Sequence, residues 1–262
     1  MLLYLEYLPS LLVAMARIYP CALLVPAFSF QHIRGMPRHV IVMVMALIPA
    51  PGIHAVMSGQ DYSALMIIGL ILKEATLGFL LGILLAMPFW MFESVGALLD
   101  NQRGALAGGQ LNPSLGPDAT PIGHLFKQLV IYLLIVVLGL SVLTQVIWDS
   151  YLIWPATAWL PLPAINGFSV FLGVLGDTFT HMMLYAAPFI AVLLFLEFGF
   201  AVLGLYSPQL QVSTLATPVK CLAGLGVLLL YFPLLQDLIV TRMAQLADLK
   251  HSISLMFQGV AP

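Results

Sequence analysis

The stretch Gln128-Leu-Val-Ile-Tyr-Leu-Leu-Ile-Val-Val-Leu-Gly-Leu-Ser-Val-Leu-Thr-Gln-Val-Ile-Trp148 contains no charged residue. About 20 apolar residues in helical conformation cross the hydrocarbon core of a bilayer. This run alone therefore calls for a membrane-spanning helix, and the rest of the chain repeats the pattern. Of 262 residues, 61% are hydrophobic and 8% are charged, where a soluble domain carries about 25% charge. The mean hydropathy is +1.05. The chain reads as an all-α, polytopic membrane protein.

Six apolar spans emerge. The first, Leu8 to Phe30, contains Arg17. The second, Val40 to Val56, is interrupted by Pro49 and Pro51. The third, Ala64 to Phe92, carries Lys73 and Glu74. The fourth is the run quoted above. The fifth lies within Phe168 to Tyr206, with Asp177 and Glu197 inside, and the sixth runs from Cys221 to Gln236. Two connections are rich in turn formers: Leu98 to Phe126, and Trp154 to Gly167 with Pro155, Pro161 and Pro163. No short repeat, low-complexity tail or soluble domain is visible, so one membrane domain over residues 1–262 is expected. The N-terminal apolar run holds Glu6 and lacks a basic n-region, which argues against a cleaved signal peptide. Arg34, Arg38, Arg103, Lys127 and Lys220 follow odd-numbered spans, and only Arg242 and Lys250 lie on the other side. That bias places the odd-numbered loops in the cytoplasm.

Composition and motifs exclude several functions. A net charge of −2 leaves no nucleic-acid footprint. Cys21 and Cys221 sit in apolar runs and read as small buried hydrophobes. The six histidines, at 32, 39, 54, 124, 181 and 251, have no metal-ligand spacing. Gly173-Val-Leu-Gly-Asp177 is spaced wrongly for an intramembrane aspartyl protease. Gly167-Phe-Ser169 lacks the glycine that follows the serine of a rhomboid-like site. There is no nucleotide-binding glycine loop. No enzyme, cofactor or metal site is expected.

Charges inside the spans cost about 2.5–3.5 kcal/mol each at the bilayer centre on insertion scales. Arg17, Lys73, Glu74, Asp177 and Glu197 therefore need either a watery pathway or burial, and burial against partner subunits is the expected solution. Glu74, Gly78 and Gly82 fall at i, i+4 and i+8, on one helix face, with the small-xxx-small spacing that admits a close neighbour. Glu93 and Asp100 also share a face. Asp100 and Arg103 pair at i, i+3 if the helix continues so far. Leu98-Leu-Asp-Asn-Gln-Arg-Gly-Ala105 is the most polar run in the greasy part of the chain. It demands shelter from lipid by protein or water.

These residues carry a family resemblance. Leu72-Lys73-Glu74, Gly78-x-x-x-Gly82, Phe89-Trp90, Gly96, Leu99-Asp100-Asn101-Gln102-Arg103-Gly104, Asn112-Pro113, Gly116 and Pro121 resemble the FliR/SctT family of type III secretion export-apparatus proteins. Asp100-x-Gln102-x-Gly104 is the characteristic core, whereas Asn112-Pro113 stands where family members often have Asp-Pro. Ser207 to Lys220 is similar to the loop of the two-helix FliQ/SctS family, sharing a glutamine, Thr214-Leu215 and Pro218-x-Lys220. The Asp-Asn-Gln-Arg-Gly run is closer to the injectisome branch than to the flagellar one.

The resemblance implies a FliP/SctR-like part over residues 1–160 and a FliQ/SctS-like hairpin over 161–262. It implies a non-enzymatic subunit of an inner-membrane export gate, which completes a pore with FliP/SctR-like and FliQ/SctS-like subunits. A FlhB/SctU-like switch protein, membrane lipid and unfolded substrates are the other implied partners. Asp100, Asn101, Gln102, Arg103, Gly104, Gly108, Gly109, Asn112 and Pro113 would line or plug the pore. Glu74, Gly78, Gly82, Glu197, Gln209, Gln211 and Lys220 would pack against subunits. The competing class is a stand-alone secondary transporter that uses Glu74 and Glu197 as proton or ion sites.

Overall fold

The computed structural model describes residues 2–28, 36–59, 62–104, 120–158, 167–206 and 212–256. Among these every regular element is helical, with no strand. The order is α1 (Leu2–Leu24), α2 (Met36–Ala46), α3 (Ala50–Met57), α4 (Ala64–Gln102), α5 (Pro121–Leu133), α6 (Ser141–Ile153), α7 (Gly167–Tyr206), α8 (Val212–Ala244) and α9 (Leu249–Met256). Five helices are long and apolar enough to cross a membrane. The number is six if α2 and α3, bent by 64° at their break, count as one span. The bend falls where Pro49 and Pro51 interrupt the second apolar run, because proline has no N–H for the helix ladder.

The fourth span departs from expectation. Residues 128–148 do not form one helix. α5 passes into a π-helical turn at Leu134–Leu138, and Gly139 takes φ +78°, a conformation that suits glycine and ends a helix. α6 then begins at Ser141. Hydropathy cannot register this break, because glycine interrupts the backbone without adding polarity.

α4 and α7 hold 39 and 40 residues. At 1.5 Å per residue each follows a path of about 60 Å, twice the hydrocarbon thickness. Lipid alone cannot enclose helices of that length.

The chain divides into two compact units. One comprises Met1–Met87, Leu138–Leu175 and Ala244–Pro262. The other comprises Pro88–Val137 and Gly176–Met243. Within α4 the division falls at Pro88, where the helix loses a backbone donor.

The first unit is organised around Arg17, which is 1% exposed, and Glu74, which is fully buried. Arg17 Nε donates to Glu74 Oε2 at 2.6 Å and Nη2 donates to Oε1 at 3.0 Å, a bidentate fork. Nη1 donates to the Ser150 hydroxyl at 3.1 Å and Nη2 to the Trp154 carbonyl at 3.0 Å. The guanidinium lies 4.1 Å from the centroid of the Tyr151 ring. Tyr151 in turn donates to the Ala14 carbonyl at 2.7 Å. Lys73 Nζ reaches Glu74 Oε1 at 2.9 Å and donates to the carbonyls of Ala156 and Ala158. One buried carboxylate thus holds two cations, whose remaining donors go to the Ser150 hydroxyl in the last turn of α6 and to carbonyls just beyond its end.

Glycine makes this reach possible. A Cβ on Gly78 would collide with the Arg17 carbonyl, and one on Gly82 would meet Cys21 Cα at 3.0 Å. α1 therefore lies directly on the Glu74-Gly78-Gly82 face, close enough for the Arg17 side chain to span to Glu74. The expectation that Arg17, Lys73 and Glu74 depend on partner subunits for burial is corrected here, since their partners are in the same chain. The glycine face likewise is occupied by α1, whose apolar side packs there because nothing projects to hold it away.

Removing one partner from a buried ion pair costs about 3–5 kcal/mol, because the other charge is left uncompensated. Glu74→Ala should therefore lower the thermal unfolding temperature of the detergent-solubilised protein steeply. Arg17→Met with Glu74→Leu should recover most of that loss. An unfolding curve for Glu74→Ala that overlays the wild type would contradict this account.

Candidate functional site

The second unit contains the polar run. α4 continues through Asp100 and Asn101 to Gln102, and Gly104 follows at φ +77°. The first five residues of the expected connection, Leu98 to Gln102, are thus helix, and the chain leaves α4 through a left-handed glycine. Asp100 is fully buried. Its Oδ1 accepts from Arg103 Nε at 2.8 Å and also from Nη2, so the expected i, i+3 pair forms. Its Oδ2 accepts from the backbone N–H of Ile122 at 2.7 Å.

That second bond explains why an acid stands here. A carboxylate in the last turn of a helix opposes the helix dipole, whereas an arginine suits it. Asp100 serves the next helix instead. α5 starts at Pro121, which has no N–H, so the first-turn donors needing partners are those of Ile122 and Gly123. Thr120 Oγ1 accepts from Gly123 at 3.2 Å, and Asp100 takes Ile122. α5 is capped by its own threonine and by a carboxylate from α4.

Two further contacts extend the brace. Gly96 and Gly123 let the backbones approach. A Cβ on Gly96 would lie 2.7 Å from the Ile122 carbonyl, and one on Gly123 would lie 3.0 Å from the Glu93 carbonyl. Glu93 Oε1 is 3.0 Å from Lys127 Nζ. Glu93, Gly96 and Asp100, at i, i+3 and i+7, therefore form one seam along α4 facing α5. α8 closes on the same end of α4. Cys221 Sγ donates to the Arg103 carbonyl at 3.6 Å, and a Cβ on Gly224 would meet Leu99 and Arg103 side-chain atoms at 3.5 and 3.9 Å.

The expected site residues separate accordingly. Asp100 and Arg103 are interior bracing groups. Asn101 and Gly104 are exposed and Gln102 is half-buried. Glu197 and Lys220 meet at 3.2 Å, with the Glu197 side chain 56% exposed. Asp177 pairs with Arg242 at 2.5 Å and with His181 at 3.1 Å. Both acids thus have a partner within the chain, and both side chains stay at least half exposed. Gly108, Gly109, Asn112, Pro113, Gln209 and Gln211 lie outside the described residues. No metal-ligating cluster occurs among the described residues. Sequence reasoning missed the Asp100–Ile122 bond and the Gly96–Gly123 approach. Thr120 followed by Pro121 was the available signal, as a cap residue with proline at the first helical position marks a helix start.

Long apolar helices joined by buried ion pairs define a multi-pass, all-α membrane protein. The family model described as bacterial export proteins, family 1, matches residues 8–246. The chain belongs to that family, the FliR/SctT family of its sequence resemblance. It is 31% identical over 219 residues to the Yop proteins translocation protein T of Yersinia pestis, covering 82% of each chain. Surface presentation of antigens protein SpaR of Salmonella typhimurium is 29% identical over 225 residues, 85% of this chain and 82% of that one. Flagellar biosynthetic protein FliR of Caulobacter vibrioides is 22% identical over 215 residues, 82% of this chain and 85% of that one. The higher identities thus lie with the injectisome relatives.

Leaving the buried Ile122 N–H without an acceptor costs about 1–3 kcal/mol, and Asp100→Ala also strands Arg103. Asp100→Asn keeps one acceptor oxygen and should fall between Ala and wild type in thermal unfolding. Gly123→Val should destabilise by wedging α5 off α4. Equal stability of Asp100→Ala and Asp100→Asn would show that the Ile122 bond contributes nothing.

Proposed function

We propose that this chain is a non-enzymatic subunit of a type III secretion export gate. It completes a hetero-oligomeric pore with FliP/SctR-like and FliQ/SctS-like membrane subunits, and unfolded substrates pass through that pore. A FlhB/SctU-like switch protein is a further neighbour. The observation that carries this reading is the Asp100 brace. A single buried carboxylate fastens the end of α4 to the start of α5, so the glycine-rich segment between Gly104 and Thr120 leaves and returns at a fixed place.

A closure element in a protein-conducting pore needs this division of labour, with rigid anchors and a glycine-rich, polar segment between them. Gly108, Gly109, Asn112 and Pro113 belong to that segment and are assigned to the plug. Asn101, Gln102 and Gly104 adjoin it. Glu197, Lys220, Gln209 and Gln211 are assigned to contacts with other subunits, and the half-exposed Glu197 leaves an acceptor free for one. Helices of about 60 Å also favour a protein-surrounded setting over a lipid-surrounded one.

The proposed FliP/SctR-like part spans residues 1–160 and the FliQ/SctS-like hairpin spans 161–262. A stand-alone transporter working through Glu74 gains no support, because that carboxylate is fully buried and committed to Arg17 and Lys73.

Two measurements test the reading. Co-expressed with the candidate partners, the chain should co-purify with both kinds of subunit, read by native mass spectrometry. A stable homo-oligomer that transports a small solute alone would overturn the proposal. Deleting residues 105–117 should leave the complex assembled and make the membrane leak ions. A deletion that blocks assembly and never leaks would make the segment a structural joint.

A further inference from the structure

The first unit holds a cavity of about 420 Å³ that the export reading does not use. The broken helix creates it. α2 and α3 diverge by 64° at Pro49, so neither fills the space beside the end of α6. Gly52 adds no side chain, and a Cβ there would meet nothing within 4 Å. Trp148 and Leu152 form the opposite wall, and Pro155 to Thr157 close one end.

The volume falls within the roughly 300–1,000 Å³ of ligand sites. It far exceeds the space of a structural water, and the mostly apolar walls could not satisfy a water cluster. One end is charged. Asp149 lines the cavity with its side chain 19% exposed, and its Oδ2 lies 3.0 Å from Nζ of Lys250, which is 51% exposed. Asp149 Oδ1 and the other two Nζ protons can serve a ligand. A lining carboxylate therefore borders an apolar pocket, with the ammonium of Lys250 paired beside it. Trp148 and Tyr151 also line the cavity.

We propose that this cavity binds an aminophospholipid of the surrounding membrane. The primary ammonium donates to Asp149, the phosphate accepts from Lys250, and an acyl chain lies along Ile48 and Leu152. The charge pattern is selective. An anionic glycerol headgroup offers Asp149 no cation, and a choline headgroup has no N–H to donate.

The test is native mass spectrometry of the full-length protein in detergent, with phosphatidylethanolamine, phosphatidylglycerol or phosphatidylcholine of matched acyl chains added. One lost charge-assisted hydrogen bond corresponds to about a tenfold change in affinity, so phosphatidylethanolamine should be retained about tenfold better than either other lipid. Asp149→Asn should erase that preference. Gly52→Leu leaves the ion pair intact, suits the helix and fills the cavity. It should cut phosphatidylethanolamine retention with no fall in unfolding temperature. Equal retention of the three lipids, or undiminished retention in Gly52→Leu, would overturn the proposal. So would high-yield crosslinking of Gly52→Cys to a partner subunit in the assembled complex, which would show that a protein side chain fills the cavity.

Discussion

One carboxylate settles how the polar part of this chain is held. Asp100 accepts from Arg103 within its own helix and from Ile122 at the start of the next. A buried acid with one partner would be a liability, and with two it becomes a fastening. The arginine neutralises it and suits the C-terminal dipole of α4. The free N–H of α5 uses the second oxygen and gains a favourable charge at its N-terminus. Gly96 and Gly123 bring the helices close enough for this to happen, and Glu93–Lys127 extends the seam. The proposed pore segment depends on that fastening.

The other unit solves the same problem with an arginine. Arg17 satisfies Glu74, Ser150 and the Trp154 carbonyl at once, and Gly78 lets its helix come near enough. In both units an ionised group joins segments distant in sequence, and a glycine on the facing helix permits the approach. Such pairs contribute little net stability compared with apolar packing, yet they tolerate few alternatives in geometry. They suit a protein whose helices are too greasy to define their own register.

Much of this was legible in the sequence, and the rest was hidden for definite reasons. Apolar runs declared the helices, Pro49 and Pro51 declared the bend, and the i, i+3 spacing declared the Asp100–Arg103 pair. The common face of Glu74, Gly78 and Gly82 was also readable. Its neighbour was not, because Arg17 lies far away in sequence and periodicity describes one helix at a time. The break at Gly139 escaped because hydropathy measures side chains, whereas the break is a matter of φ. The Ile122 bond escaped because a backbone donor leaves no mark in the sequence beyond the Thr120-Pro121 start signal. The family resemblance located the polar run as important, and the hydrogen bonds show what Asp100 does there.

The central claim is that Asp100 acts as an acceptor joining two helices and not only as half of an ion pair. Exchanging the two charges, Asp100→Arg together with Arg103→Asp, separates these roles. It keeps opposite charges three residues apart, but arginine has no acceptor for the Ile122 N–H and sets a cation against the positive end of α5. The direct measurement is secretion of an export substrate by cells carrying the exchange, with the level of assembled complex read alongside. The account predicts that the exchange fails to restore secretion, as each single change does. Full restoration would contradict it.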